Sequence, residues 1–270
     1  MEANSLVGID TRFKENEGKL QDALLDLKEQ VRKEPENSRY RIFLFQLLAV
    51  MGDWERALNQ LNVLSDLDVS TLPMLHIYRE AIQCESLRRE IFAGRKKPLL
   101  LGEPPEWVAT LLESLRLLGE KQYEPASSLR SQAFEQAPES SGTIDGHSFK
   151  WIADADARLG PMVEAILNAK YYWVPFEQIN AVTIPEPKDL RDKIWLPAQF
   201  TWTNGGQANG LIPARYAGSE SSQDPMIQLG RKTDWTPLTD GVYQGLGQRM
   251  LATDQDEYPL LDIRQISIER

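Results

Sequence analysis

One cysteine and two histidines in 270 residues exclude much chemistry at once. Cys84 has no partner for an internal disulfide, and a Cys/His zinc site lacks ligands. Its expected role is that of a small buried filler on an amphipathic helix. No apolar run approaches the roughly 20 residues that span a bilayer, and the start of the chain has no apolar signal core. The expected compartment is therefore the cytoplasm, with no membrane partner. A basic excess is missing too. Forty acidic residues face 30 basic ones, for a net charge of −10, and both halves are acidic. This argues against a nucleic-acid partner. The one basic cluster, Arg88, Arg89, Arg95, Lys96 and Lys97, reads as a solvated helix end, favourable against the helix dipole.

Catalytic signatures are equally scarce. There is no Gly-x-Ser-x-Gly elbow, phosphate loop or histidine triad. Gly241, Gly245 and Gly247 do not make a dinucleotide fingerprint, because Met250 stands where a glycine is needed. No cofactor is expected.

What is present begins with a repeat. Gly18 and Gly52, Ala23 and Ala57, and Leu27 and Leu61 are each 34 residues apart, the tetratricopeptide period. A glycine can turn sharply between two helices, and an alanine lets them cross closely. Pro35 stops the first unit. Tyr123-Glu124-Pro125-Ala126, with Ala133 and Pro138 after it, repeats Trp54-Glu55-Arg56-Ala57. The unit between, about 72–105, is degenerate. Helices are predicted over 18–33, from Ser38 through a run too apolar for a surface helix, and over 53–65, 71–92, 105–118 and 121–136.

After Pro138-Glu139-Ser140-Ser141-Gly142 the pattern changes to short aromatic and β-branched segments. These are Phe149–Ala153, Met162–Leu167, Tyr171–Phe176, Ala181–Ile184, Ile194–Thr203, Gly210–Arg215, Met250–Ala252 and Leu260–Ile268. Met162–Leu167 and Tyr171–Val174 read as a hairpin about Asn168-Ala169-Lys170. Five of the seven tryptophans lie in this half and are expected to form its core. The expected fold is α+β. Residues 1–138 form tetratricopeptide-like helical hairpins. Residues 139–270 form an antiparallel, mostly β domain, barrel-like, with a helical turn near Asp189–Lys193.

Two charged clusters stand out. Asp154 and Asp156 could chelate a divalent cation, which keeps a metal-dependent enzyme as the alternative reading. More simply they accept backbone N–H bonds and pair with Arg158. Asp189, Arg191 and Asp192 form a second knot. The six residues are read as a structural charged network rather than catalytic groups.

Several motifs resemble, in order, one family. They are Phe43–Leu48, Gly52–Ala57, Ile144-Asp145-Gly146, Asp154–Pro161, Tyr171–Phe176, Asp189–Asp192, Trp195–Ala198, Arg215–Glu220 and Gly245–Arg249. The resemblance is to the ImpE/SciE family, also called TagJ, and spans about residues 18–268. Ala217 departs from it where proline is expected. The resemblance implies a cytoplasmic, non-enzymatic accessory of type VI secretion. Its partner would be the N-terminal helix of the small contractile-sheath subunit, TssB, with an indirect link to the ClpV ATPase through sheath assembly or disassembly. Contact residues follow from repeat geometry alone: Arg39, Ile42, Gln46, Ala49 and Val50 on one helix, and His76, Glu80 and Gln83 on the next long one. A purely architectural dimer burying tryptophan-rich surfaces is the third reading.

Overall fold

The computed structural model describes residues 19–239 and 242–269; Gly18 and Gly241 of the motifs above lie outside them. Among the described residues six helices come first: α1 (Leu20–Lys33), α2 (Ser38–Val50), α3 (Trp54–Leu67), α4 (Leu72–Phe92), α5 (Glu106–Gly119) and α6 (Tyr123–Gln136). Their ends follow from local chemistry. Asn37 caps α2 by accepting the Arg39 N–H at 3.1 Å. Gly52 closes the α2–α3 turn at φ +71°, and the Asp53 side chain accepts from the Arg56 N–H to start α3. Ala57 and Leu61 are fully buried in this hairpin, as are Ala126 and Ala133 in the α5–α6 pair. Every residue of α2 from Leu44 to Val50 is buried, which explains its all-round apolar sequence.

Thirteen strands follow among the described residues. They are β1 (Gly142–Ile144), β2 (His147–Phe149), β3 (Ile152–Asp154), β4 (Met162–Leu167), β5 (Lys170–Pro175), β6 (Ile179–Thr183), β7 (Trp195–Trp202) and β8 (Gln207–Pro213). Then come a short helix α7 (Pro225–Gln228), β9 (Thr233–Thr239), β10 (Val242–Gly247), β11 (Met250–Thr253), β12 (Glu257–Pro259) and β13 (Gln265–Ile268). Eight form one antiparallel sheet in the order β2-β1-β13-β6-β7-β8-β4-β5. β12-β11-β3 and β10-β9 form two small sheets.

The barrel expectation is corrected here. The large sheet is open, because its end strands β2 and β5 do not pair with each other. The edge of β5 is satisfied locally: Leu99 donates to the Tyr171 carbonyl and accepts from the Trp173 N–H at 3.0 Å. An edge covered by a loop needs no closure.

The sheet has two interiors. On one side Met162, Ile166, Tyr171, Trp173, Trp195 and Leu211 join the helices in a single core. On the other, Val163, Ala165, Leu167, Val174, Leu196 and Ile212 pack with Phe149, Ile152, Leu251 and Leu260. The helices do not cover the whole of their side. Beyond them, one cross-strand row runs Ser148–Thr143–Ser267–Ala181–Thr201–Gln207. A second runs Gln265–Thr183–Gln199–Asn209. All ten side chains are exposed or half-exposed.

Candidate functional site

The centre of the helix–sheet junction is charged. Glu164 sits mid-β4, sealed from solvent, and faces α4. Arg88 of α4 grips it with both arms, Nε to Oε1 at 2.5 Å and Nη2 to Oε2 at 3.0 Å. Arg88 also donates to the Arg215 carbonyl at 2.6 Å. Arg249 bridges Glu164 to Asp154 and donates its Nε to the Pro213 carbonyl at 2.9 Å. The Tyr171 hydroxyl donates to Glu164 and accepts from Trp173 Nε1 at 2.7 Å. Trp195 Nε1 meets Glu85, which also pairs with Arg88. Among the described residues Arg215 donates to backbone carbonyls, including that of Val50 at the C-terminus of α2 at 2.8 Å.

Burial pushes Glu164 up, but the guanidinium groups of Arg249 and Arg88 outweigh it and hold the carboxyl at about 2. Burial wins at Asp154, raised to about 6 against the pull of Arg249. It also lowers Arg215 to about 10. Asp156 accepts from Arg158 Nε at 2.9 Å, and from the Gly245 N–H at 3.0 Å, which ties the β9–β10 ribbon to the body. Asp154 and Asp156 are thus committed to two arginines and to backbone N–H groups, the geometry of a clamp rather than an open cation site. Among the described residues no group of three or more Cys, His, Asp or Glu could hold a metal ion.

The predicted charged residues fall into two separate places. Asp189 and Asp192 form a reciprocal cap on the turn Leu190–Lys193, and Asp189 pairs with Arg191. The Arg191 guanidinium lies 5.1 Å from the centre of the Tyr78 ring. The Arg191 N–H donates to Gln46 Oε1 at 3.3 Å. This turn lies against α2, so Gln46, Ala49 and Val50 are buried in the protein's own interior. Arg39 is exposed and Ile42 half-buried. On α4, His76 and Gln83 are exposed and Glu80 is half-exposed.

Between α4 and the sheet runs a groove of about 660 Å³. Ile77, Tyr78 and Glu80 form one wall, Asn168 and Ala169 of the β4–β5 turn another, and Pro197, Gln199, Asn209 and Leu211 the floor. Ile77 is 48% exposed on its rim. The sequence reading missed Glu164, Arg249, Ile77 and the burial of Arg88. Glu164 was legible in principle as one acid inside an apolar strand.

Residues 146–267 match the family model described as ImpE protein. The type VI secretion system accessory component TagJ of Pseudomonas aeruginosa strain PAO1 is 50% identical over 252 residues, covering 93% of this chain and 88% of that protein. The crystal structure of protein VPA1032 from Vibrio parahaemolyticus superposes with a TM-score of 0.84 at 29% identity, covering 94% of this chain and 96% of that one. With that identity along nearly its whole length, the chain belongs to the ImpE/TagJ family of type VI secretion system accessory components.

Proposed function

We propose that the protein is a cytoplasmic adaptor that docks the N-terminal helix of the small contractile-sheath subunit in the α4–sheet groove. Through that contact it modulates sheath assembly or ClpV-dependent disassembly. The observation that carries the reading is the groove itself. It is a mostly apolar cleft beside a helix that leaves His76, Ile77, Glu80 and Gln83 unburied. Its volume lies within the range of ordinary ligand clefts, and helix-in-groove docking is a recurrent mode for amphipathic segments. No helix among the described residues is long and apolar enough to cross a membrane. The test is a pull-down of the small sheath subunit with and without its first helix, and again with Ile77→Asp. Loss of binding on removing the helix, and at least tenfold weakening by Ile77→Asp, are expected. Equal capture of both sheath versions rules the reading out.

A further inference from the structure

We infer that the bare end of the sheet's helix-side face is the outer half of the same docking surface. It selects a partner helix whose buried stripe is uncharged. This rests on the groove reading above and adds what that reading leaves open, the chemistry of the occupant.

Three observations converge. First, none of the ten residues in the two exposed cross-strand rows is charged, in a chain where 26% of residues are. Solvated faces carry charge, whereas interface centres are depleted of it, because a desolvated charge without a counter-ion is costly. Second, the rows run into the groove without a break. Thr183, Gln199 and Asn209 belong to the second row and also line the cleft. Third, the area is small. Six strands, five spacings across, by two same-face rows measure roughly 24 by 14 Å, on the order of 300 Å². A stable globular interface needs about 800 Å² per partner, which excludes a second copy of this chain as occupant. A single helix of about four turns, ~24 Å long, matches the width of the rows. Its docking stripe would carry Ala, Ser, Thr, Asn, Gln and aliphatic side chains. One Lys or Arg would pass Glu80, the one charged residue among the described residues lining the groove.

The test is fluorescence anisotropy of a labelled peptide, the first helix of the small sheath subunit, titrated with the full chain at 50 and 300 mM NaCl. The same titration is run on Gln207→Glu and Thr201→Lys, two row residues that do not line the groove, and on Glu257→Lys, an exposed control in the small sheet behind the second core. Unchanged circular dichroism and melting confirm that each variant is folded. Less than a threefold change of Kd with salt is expected. Gln207→Glu and Thr201→Lys should each weaken binding at least tenfold despite their opposite signs, with Glu257→Lys unchanged. A tenfold loss of wild-type affinity at the higher salt overturns the inference, as does wild-type affinity in both face variants. Either leaves the groove reading standing. No binding of the wild-type chain removes both.

Discussion

The two faces of strand β4 enter two interiors of equal dryness and different chemistry. Met162, Glu164 and Ile166 point to the helices, whereas Val163, Ala165 and Leu167 point to the second core. All six are buried. Only the helix side carries charge: Glu164, Arg88 and Arg249, with Asp154 behind them. Apolar contact is non-directional, so a wholly apolar junction would hold the helices to the sheet without fixing where they sit. A bidentate guanidinium–carboxylate pair is directional. Because Arg88 belongs to α4, the pair sets the position of the helix that walls the groove. The second core binds a small sheet instead of α4, and volume alone suffices there.

The largest effect should come from breaking the pair on one side only. Glu164→Gln leaves Arg88 and Arg249 buried with reduced compensation, a loss of about 3–5 kcal/mol. Urea denaturation followed by tryptophan fluorescence measures it. The sharper form compares Glu164→Leu with the double variant Glu164→Leu, Arg249→Leu. Removing both charges should cost less than removing Glu164 alone. A double variant at least as unstable as the single one would contradict a role in positioning offset by desolvation.

Acid should separate the faces next. The Glu164 pKa is depressed in the fold, so its contribution is complete above about pH 4.5 and is lost as pH falls toward about 2. Asp154 works the other way. Its raised value makes the native state the tighter proton binder, so stability falls as pH rises from about 4 to about 6. Glu164→Gln should flatten the acid limb of a stability–pH curve, and Asp154→Asn the decline between pH 4 and 6. Unchanged slopes in both variants would show that neither carboxyl titrates with folding.

Which parts of this arrangement can be read from the chain depends on how far apart the partners lie. Apart from α2, apolar all round, helices α1 to α6 appear as local 3.6-residue patterns. The β4–β5 hairpin was legible for the same reason: Asn168 and Ala169 take φ +47° and +66°, a turn that asparagine tolerates. Closure of the sheet is not local, and strand count says nothing of whether β2 meets β5. The β9–β10 ribbon was missed because Pro237 and its glycines read as loop. Its order comes from Asp156 and Ser219, which accept from the Gly245 and Gly247 N–H groups. Asp156 and Arg158, two residues apart, form an ion pair within one turn of chain. Asp154 finds Arg249, 95 residues away, and Glu164 finds Arg88, 76 away. Such pairs have no signature in sequence. The face of α2 expected to line a groove is buried because the chain's own turn at Leu190–Lys193 packs against it. Only the position of β7, far downstream, could have revealed this.

A smaller effect tests whether the hydrogen-bond relay matters apart from the charges. Tyr171→Phe keeps the ring but strips Glu164 of one donor and Trp173 Nε1 of its acceptor. An unsatisfied buried group of this kind costs about 1–3 kcal/mol. Thermal unfolding should register it. A variant as stable as the wild type would confine the directional element to the arginines.

The smallest change puts the comparison on equal terms. Ile166→Val and Ile212→Val each delete one methylene, the first from the helix side and the second from the apolar core. Simple burial predicts about 0.5–1.5 kcal/mol for each. If the faces differ only in chemistry, the two costs agree. Ile166, however, lies two residues from Glu164 on the same face of β4 and also lines the groove. A collapse there would shift the carboxylate against a guanidinium fork that tolerates little displacement. We therefore expect Ile166→Val to fall at the upper end of that range and Ile212→Val at the lower. Matching unfolding midpoints would mean that the charged junction absorbs a lost methylene as readily as the apolar one, and that its directionality does not stiffen the packing around it.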